Sequence, residues 1–268
     1  MNNQSTKTDI THSTIEQINK PIIIYYFVHP FSNTYWQMEP IIKKLTMEYG
    51  AFCSIRPVIC PSSLNLQEVC KHEEQVHSSF ALVEQQTILL AIKAAALQGN
   101  KTGRDYLRNL QDYLFLYQTD IDITTLIHQA CDHTNIDLHE FERDLQSISA
   151  KKAFESDIQL AQEMEIEQFP TLVFLGQHIE DYSMKIAGLH TYETYTFILE
   201  EMLNKEIMEK SKPSLEDFFK LYNRFKTEEI AFIFEISIKK AEKILKQLQL
   251  MQQITKINNG SNTFWEII

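Results

Sequence analysis

The sequence predicts an α/β fold with a helical insertion and a small C-terminal appendage, and three features carry that expectation. The apolar run Ile22–Val28 is continuous rather than alternating, which suits a strand buried on both faces. Trp36, Pro40, Ile41, Lys44, Leu45 and Glu48 then recur at helical spacing ahead of a second apolar run, Phe52–Cys60, so the chain opens on a β-α-β unit. In that helix the apolar members face the sheet and the charged ones water. Far downstream, Phe169-Pro170-Thr171 leads into two further strands, Thr171–Leu175 and Tyr182–Ala187, and a closing helix over Thr191–Met202.

Between these halves the chain is helical. Val76–Leu97 and Gly103–Gln118 are long candidates, Ile123–His133 and Asp137–Ser147 shorter ones, and Ala150–Met164 resumes the scaffold. Asp137 is the expected N-cap for a stripe of Leu138, Phe141 and Leu145. After the polar stretch Lys210-Ser211-Lys212-Pro213, three helices are expected: Leu215–Phe225, a second ending at Phe234, and a third capped by Ser237. A hairpin turning at Asn258-Asn259-Gly260 follows. Three short helices and a hairpin describe a winged-helix-like unit. The expected layout is a flexible N-terminus over 1–20, a core from 21–61 and 150–209, a helical insertion over 62–149, and the C-terminal unit over 210–268.

The chain has 268 residues and is 44% hydrophobic, which supports a sizeable core and excludes a disordered or fibrous protein. A net charge of −11 argues against broad attraction to DNA or anionic membranes, while leaving room for a local basic surface. Cys53, Cys60, Cys70 and Cys131 form no CxxC pair and no disulfide-rich framework. The polar N-terminus lacks the apolar core of a signal peptide, and Ile22–Val28 is too short to span a bilayer, so cytoplasmic residence without membrane insertion is expected.

The most informative segment is His29-Pro30-Phe31-Ser32-Asn33-Thr34-Tyr35-Trp36, set between the first strand and its helix. That is where a thioredoxin-like fold carries its redox turn, and the order of elements is that of such a fold with a helical insert. A dithiol enzyme needs a thiolate to attack and a second sulfur to resolve, and here the two positions hold Ser32 and Tyr35. The proline ahead of the third strand can be cis in this fold, exposing backbone beside the turn; the sequence leaves the isomer of Pro170 open.

Tyr25 to Trp36, followed by Glu39-Pro40-Ile41 and the distal Phe169-Pro170-Thr171-Leu172-Val173-Phe174, resembles the YjbH/SpxH branch of the DsbA-like superfamily. These are bacterial adapters that bring the transcription regulator Spx to the ClpXP protease. Members often read Asp-Pro-x-Cys-Pro-x-Cys-Trp at the first motif. Here His29 takes the Asp position, Ser32 and Tyr35 the cysteine positions, and Asn33 the intervening proline. The resemblance implies a noncatalytic, cofactor-free adapter with Spx, ClpXP and an anti-adapter protein as partners. His29, Phe31, Tyr35, Phe169 and Pro170 then become candidate protein-binding residues, because turn and proline loop converge in the fold.

Other chemistry has weaker support. Cys70-Lys71-His72 with His77, and His128 with Cys131-Asp132-His133, lack a closed zinc pattern. Gly99-Asn100-Lys101-Thr102-Gly103-Arg104 lacks the spacing of a phosphate loop. Two rival functions remain. One is a DsbA-like thiol oxidoreductase using cysteines elsewhere in the chain. The other is a DNA-binding regulator using Lys239, Lys240, Lys243 and Lys246 of the last helix with Lys256, although Glu235 and Glu242 interrupt that row.

Overall fold

The computed structural model describes residues 22–61, 82–116, 122–132, 134–176, 183–203, 213–259 and 262–268. The expected flexible N-terminus and the Cys70–His77 cluster lie outside them. The chain opens with β1 (Ile22–Val28), α1 (Asn33–Tyr49) and β2 (Cys53–Ile59), the predicted β-α-β unit. Among the described residues five helices follow: α2 (Leu82–Leu97), α3 (Asn100–Leu116), α4 (Ile123–Gln129), α5 (Leu138–Leu145) and α6 (Ile148–Glu163). The scaffold closes with β3 (Thr171–Gly176), β4 (Ser183–Ala187) and α7 (Tyr192–Met202). The result is a mixed α/β thioredoxin-like fold with extra helices.

The strands align in the order β2-β1-β3-β4, with β1 and β2 parallel and the other pairs antiparallel. Continuous apolarity put β1 in the interior because it has a strand on either side: Ile24 pairs with Ile55 on one side and Phe174 on the other. As the edge strand, β2 can hold Pro57, which donates no ladder hydrogen bond. The Ile59 N–H is taken instead by Asp157 Oδ2 of α6 at 2.7 Å, and Lys93 pairs with that carboxylate. Side chains thus close part of an edge that would otherwise invite another strand.

One face of the sheet packs Ile24, Tyr26, Leu172 and Phe174 against α1, the inserted helices and α7. The opposite face packs Phe27, Val58 and Val173 with Ala161 of α6 and Phe169. Helices α2 and α3 approach so closely that a Cβ on Gly103 would stand 2.7 Å from Ala96. Asp137 caps α5 as expected, accepting from Glu140 N–H at 3.0 Å.

The C-terminal segment holds α8 (Leu215–Leu221), β5 (Arg224–Phe225), α9 (Thr227–Ile233), α10 (Ile238–Leu250), β6 (Ile254–Asn259) and β7 (Asn262–Ile267). Its strands align β5-β7-β6. The helix expected to run to Phe225 stops at Leu221, since Arg224 and Phe225 pair with Glu266 and Trp265 of β7. Ser237 caps α10 as predicted, through Lys240 N–H. The core here joins Phe218, Tyr222, Phe225, Ile230, Leu245 and Trp265, and it takes in Met47 of α1.

Helix α1 is therefore enclosed on both sides, which corrects the expectation that Lys44 and Glu48 face water. Both are 4% exposed. The Lys44 amine reaches Glu235 at 2.7 Å and lies over the rings of Tyr192 and Phe232, while Glu48 accepts from Tyr192 Oη at 2.8 Å. At the preceding position, Lys43 Nζ donates to both oxygens of Glu229, at 3.0 and 3.1 Å. Glu229 also accepts from the Lys226 N–H at the start of α9. Arg224 completes this seam by binding Glu266 at 2.6 Å and standing 3.7 Å from Asp112 of α3. Burial pushes the Asp112 carboxyl up to about 7; Glu229 adds to this effect, while Lys43 and Arg224 oppose it.

Removing one partner of a buried ion pair strands the other charge, at a cost of about 3–5 kcal/mol. Lys43→Met and Glu229→Leu should each lower the unfolding free energy, measured by urea titration, by that order. The double variant should recover most of the loss, because no charge is left buried alone. Additive losses in the double variant would show that packing, not the pair, holds α9 to α1.

Candidate functional site

Strand β1 delivers the chain to a tight turn in which the Ser32 N–H donates to His29 O at 3.1 Å. Ser32 then does what a short hydroxyl does before a helix: its Oγ accepts from the Tyr35 N–H at 3.3 Å and caps α1. At the second degenerate position, Tyr35 donates its phenol to Glu39 Oε1 at 2.6 Å and stacks on Tyr26, ring centres 5.8 Å apart. Neither residue offers a thiol, and both are buried, at 2% and 4% exposure. With no sulfur at either position, this turn has no thiol–disulfide chemistry.

His29 is enclosed between the turn and the end of β2. Its Nδ1 lies 3.2 Å from Cys60 O, which assigns the proton to Nδ1. Burial lowers its pKa to about 4, against the opposing pull of the Cys60 carbonyl, so the ring is neutral near pH 7. Its Nε2 has no hydrogen-bond partner in the protein. From α3, Gln111 donates to Pro30 O at 3.3 Å, tying the insertion to the turn.

The Phe169–Pro170 peptide is cis. The Pro170 carbonyl is engaged, accepting from the Gly188 N–H at 2.7 Å. Gly188 holds φ +86°, a conformation that favours glycine, and a Cβ there would stand 3.0 Å from the Gln168 amide.

All five residues expected to offer a binding surface, His29, Phe31, Tyr35, Phe169 and Pro170, are buried. Phe31 and Tyr35 pack into the main core, and Phe169 into the core on the opposite face. Their side chains therefore shape the turn from within and leave exposed contact to neighbouring residues. Trp36, half-buried, packs against Phe264 of β7 at 5.8 Å, and the Lys226 amine lies 4.4 Å from its ring centre. A groove of about 590 Å³ opens beside it, bounded by Gln37, Pro40 and Ile41 of α1 and by Lys226, Glu228 and Phe232. Lys43, Gln111 and Arg224 were not foreseen, and Glu39 was noted only as part of a motif; for Lys43 and Gln111 the one sequence signal was a charged or amide group on a largely apolar helix, while Arg224 sits in β5.

The remaining cysteines do not rebuild a redox pair. Cys53, Cys60 and Cys131 carry buried thiols without disulfides, and Cys70 lies outside the described residues. Burial pushes the Cys131 thiol up to about 12, with Asp132 adding to it, and Cys60 higher still, so neither supplies thiolate at neutral pH. Among the described residues no three metal-ligating groups gather. His128 is used by Thr124 O at 2.7 Å and by Glu142 at 3.3 Å. No helix among them is long and apolar enough to cross a membrane.

Comparison with known proteins agrees with this geometry. Residues 25–197 match the family described as Thioredoxin. A Nitrosomonas europaea chain provisionally assigned as a protein disulfide isomerase shares the fold with a TM-score of 0.55 at 18% identity, covering 70% of this chain and all of that one. Pseudomonas aeruginosa DsbA2 does so at 0.51 and 15%, covering 71% and 92%. Fold and turn together define the class: a thioredoxin-family protein whose redox turn holds no sulfur. The chain is 34% identical to the ClpXP adapter protein SpxH of Bacillus subtilis, over 92% of its own length and 89% of that protein. It is 35% identical to the SpxH of Bacillus licheniformis, over 93% and 89%. The chain belongs to the SpxH family of ClpXP adapter proteins.

His29 makes the turn sensitive to acid in a defined window. Its folded pKa lies below the ordinary value, so its stabilising contribution is complete above about pH 6.5 and is lost as pH falls through about 4. The difference in unfolding free energy between wild type and His29→Gln, measured by urea titration, should shrink by about 3 kcal/mol between pH 7 and pH 4. A difference constant with pH would mean that His29 binds its proton equally well in the folded and unfolded chain.

Proposed function

We propose that this chain is a noncatalytic cytoplasmic adapter that binds Spx and promotes its degradation by ClpXP, with an anti-adapter protein as its antagonist. The observation that carries the proposal is the near-full-length similarity to SpxH adapters, joined to a turn that caps a helix where an oxidoreductase would hold sulfur. Recognition then rests on surface complementarity and needs no covalent bond to the client.

The scaffold divides, in this reading, into a thioredoxin-like domain (21–61 and 150–209), a helical insertion (62–149) and a winged-helix-like domain (210–268). Supporting the last is its element order, with the strand order β5-β7-β6. The Spx-binding face borders the vestigial turn. His29, Phe31, Tyr35, Phe169 and Pro170 set its shape from beneath, and Gln37, Trp36 and Phe232 give it exposed area along the groove.

A degradation assay with purified ClpXP, Spx and an all-Cys→Ser adapter tests the function. Spx loss should accelerate as it does with wild type, and failure of both adapters to accelerate it would reject the assignment. For the surface, Gln37→Arg combined with Phe232→Ala should weaken Spx binding by about 1–3 kcal/mol without changing the circular dichroism spectrum. Unchanged affinity would move the interface elsewhere on the adapter.

A further inference from the structure

A cavity of about 180 Å³ lies where α1, β2, α3 and α8 meet, and the adapter reading makes no use of it. Ile42, Ile55, Leu107 and Leu221 give it apolar walls. Two polar atoms from residues more than nine-tenths buried line it without a hydrogen-bond partner in the protein: Tyr26 Oη, on a residue 2% exposed, and Glu39 Oε2, on one 6% exposed. Arg108 Nε also lacks one, and at 3.8 Å from Glu39 Oε2 it is beyond hydrogen-bond reach of that oxygen.

Two other polar atoms of these residues are already engaged. Glu39 Oε1 accepts from Tyr35, Arg108 Nη1 donates to Leu221 O at 3.4 Å, and the guanidinium lies over the Tyr222 ring. Native interiors leave only a few buried donors or acceptors unpaired, because each costs its desolvation. Here two donors and an acceptor do so around a single space.

Their chemistry narrows what would satisfy them. An anion would suit Tyr26 and Arg108 but face the Glu39 carboxylate, and a cation would suit Glu39 but face Arg108. A neutral group that both accepts and donates, a hydroxyl or a primary carboxamide, meets all three. On the exposed rim stand Lys101 and Arg104, with Asp105 partly offsetting them, so an anionic tail is favoured there.

We propose that this cavity binds a short aliphatic molecule carrying a hydroxyl or primary carboxamide at one end and a carboxylate at the other. Its occupant touches α1 and α3 of the scaffold and α8 of the C-terminal segment at once, so binding strengthens the docking of that segment.

Titration calorimetry and thermal unfolding of the full chain test this with δ-hydroxyvalerate as probe, and valerate and the terminal pentanediol as comparators. The hydroxy acid should raise the melting temperature and bind at least about tenfold more tightly than either comparator, since each lacks one recognised end. Arg104→Glu, at an exposed position, should weaken both carboxylates and leave the diol unchanged. Leu221→Trp should fill the cavity and abolish all binding; should it fail to fold, Arg104→Glu decides. The proposal is overturned if no probe shifts the melting temperature at about 10 mM, if valerate equals the hydroxy acid, or if folded Leu221→Trp binds as wild type does. The first of these results would leave ordered water as the partner of Tyr26, Glu39 and Arg108.

Discussion

The structure depends on how helix α1 satisfies charges on a surface that two bodies of protein cover. Toward the sheet it presents Met38, Ile41 and Leu45, as any helix of an α/β layer does. Its other side carries Lys43, Lys44 and Glu48, and the C-terminal segment together with α7 supplies a partner for each. A buried ion pair gains little over an apolar contact in net stability, because desolvation consumes most of its Coulomb energy. What it does supply is register: Lys43 meets Glu229 only when α9 lies at one height along α1. Met47, shared with the second core, fixes the same height by packing.

That arrangement explains how a redox scaffold survives without its reaction. A catalytic dithiol at the head of α1 needs access to solvent and substrate, whereas Ser32 and Tyr35 are sealed beneath the insertion and beside the C-terminal segment. The substitutions suit an interior. Ser32 gives the helix an N-cap, and Tyr35 gives it a hydrogen bond to Glu39 one turn along. Because His29 stays neutral against Cys60 O, its ring buries no charge at the turn. What remains for function is surface, and surface is what an adapter uses.

The same enclosure that silences the turn leaves two spaces at the junction with the C-terminal segment. One is the open groove beside Trp36 and Phe232, suited in size to a protein segment. The other is the smaller cavity above Tyr26 and Glu39, on the flank of α1 that faces α3 and α8. Both are walled in part by residues after 213, so neither would exist in the thioredoxin-like scaffold alone.

Local chemistry made much of the scaffold legible in the sequence. A continuous apolar strand, a helical stripe, the caps Asp137 and Ser237 and the proline before β3 each depend on neighbours within a few residues, and each stands where it was expected. The absence of a dithiol was equally legible, because spacing alone decides whether two sulfurs flank a turn. What sequence could not decide was which surfaces meet. Lys44 and Glu48 read as a solvated helix face until Glu235, Tyr192 and Phe232, more than 140 residues away along the chain, arrive to cover them. The inward turning of Phe31 and Tyr35, the pairing of Arg224 with Glu266 and the cavity at Glu39 are decided in the same way. Burial is a property of the assembled fold, and a charge or an aromatic ring carries no local sign of what will be packed over it.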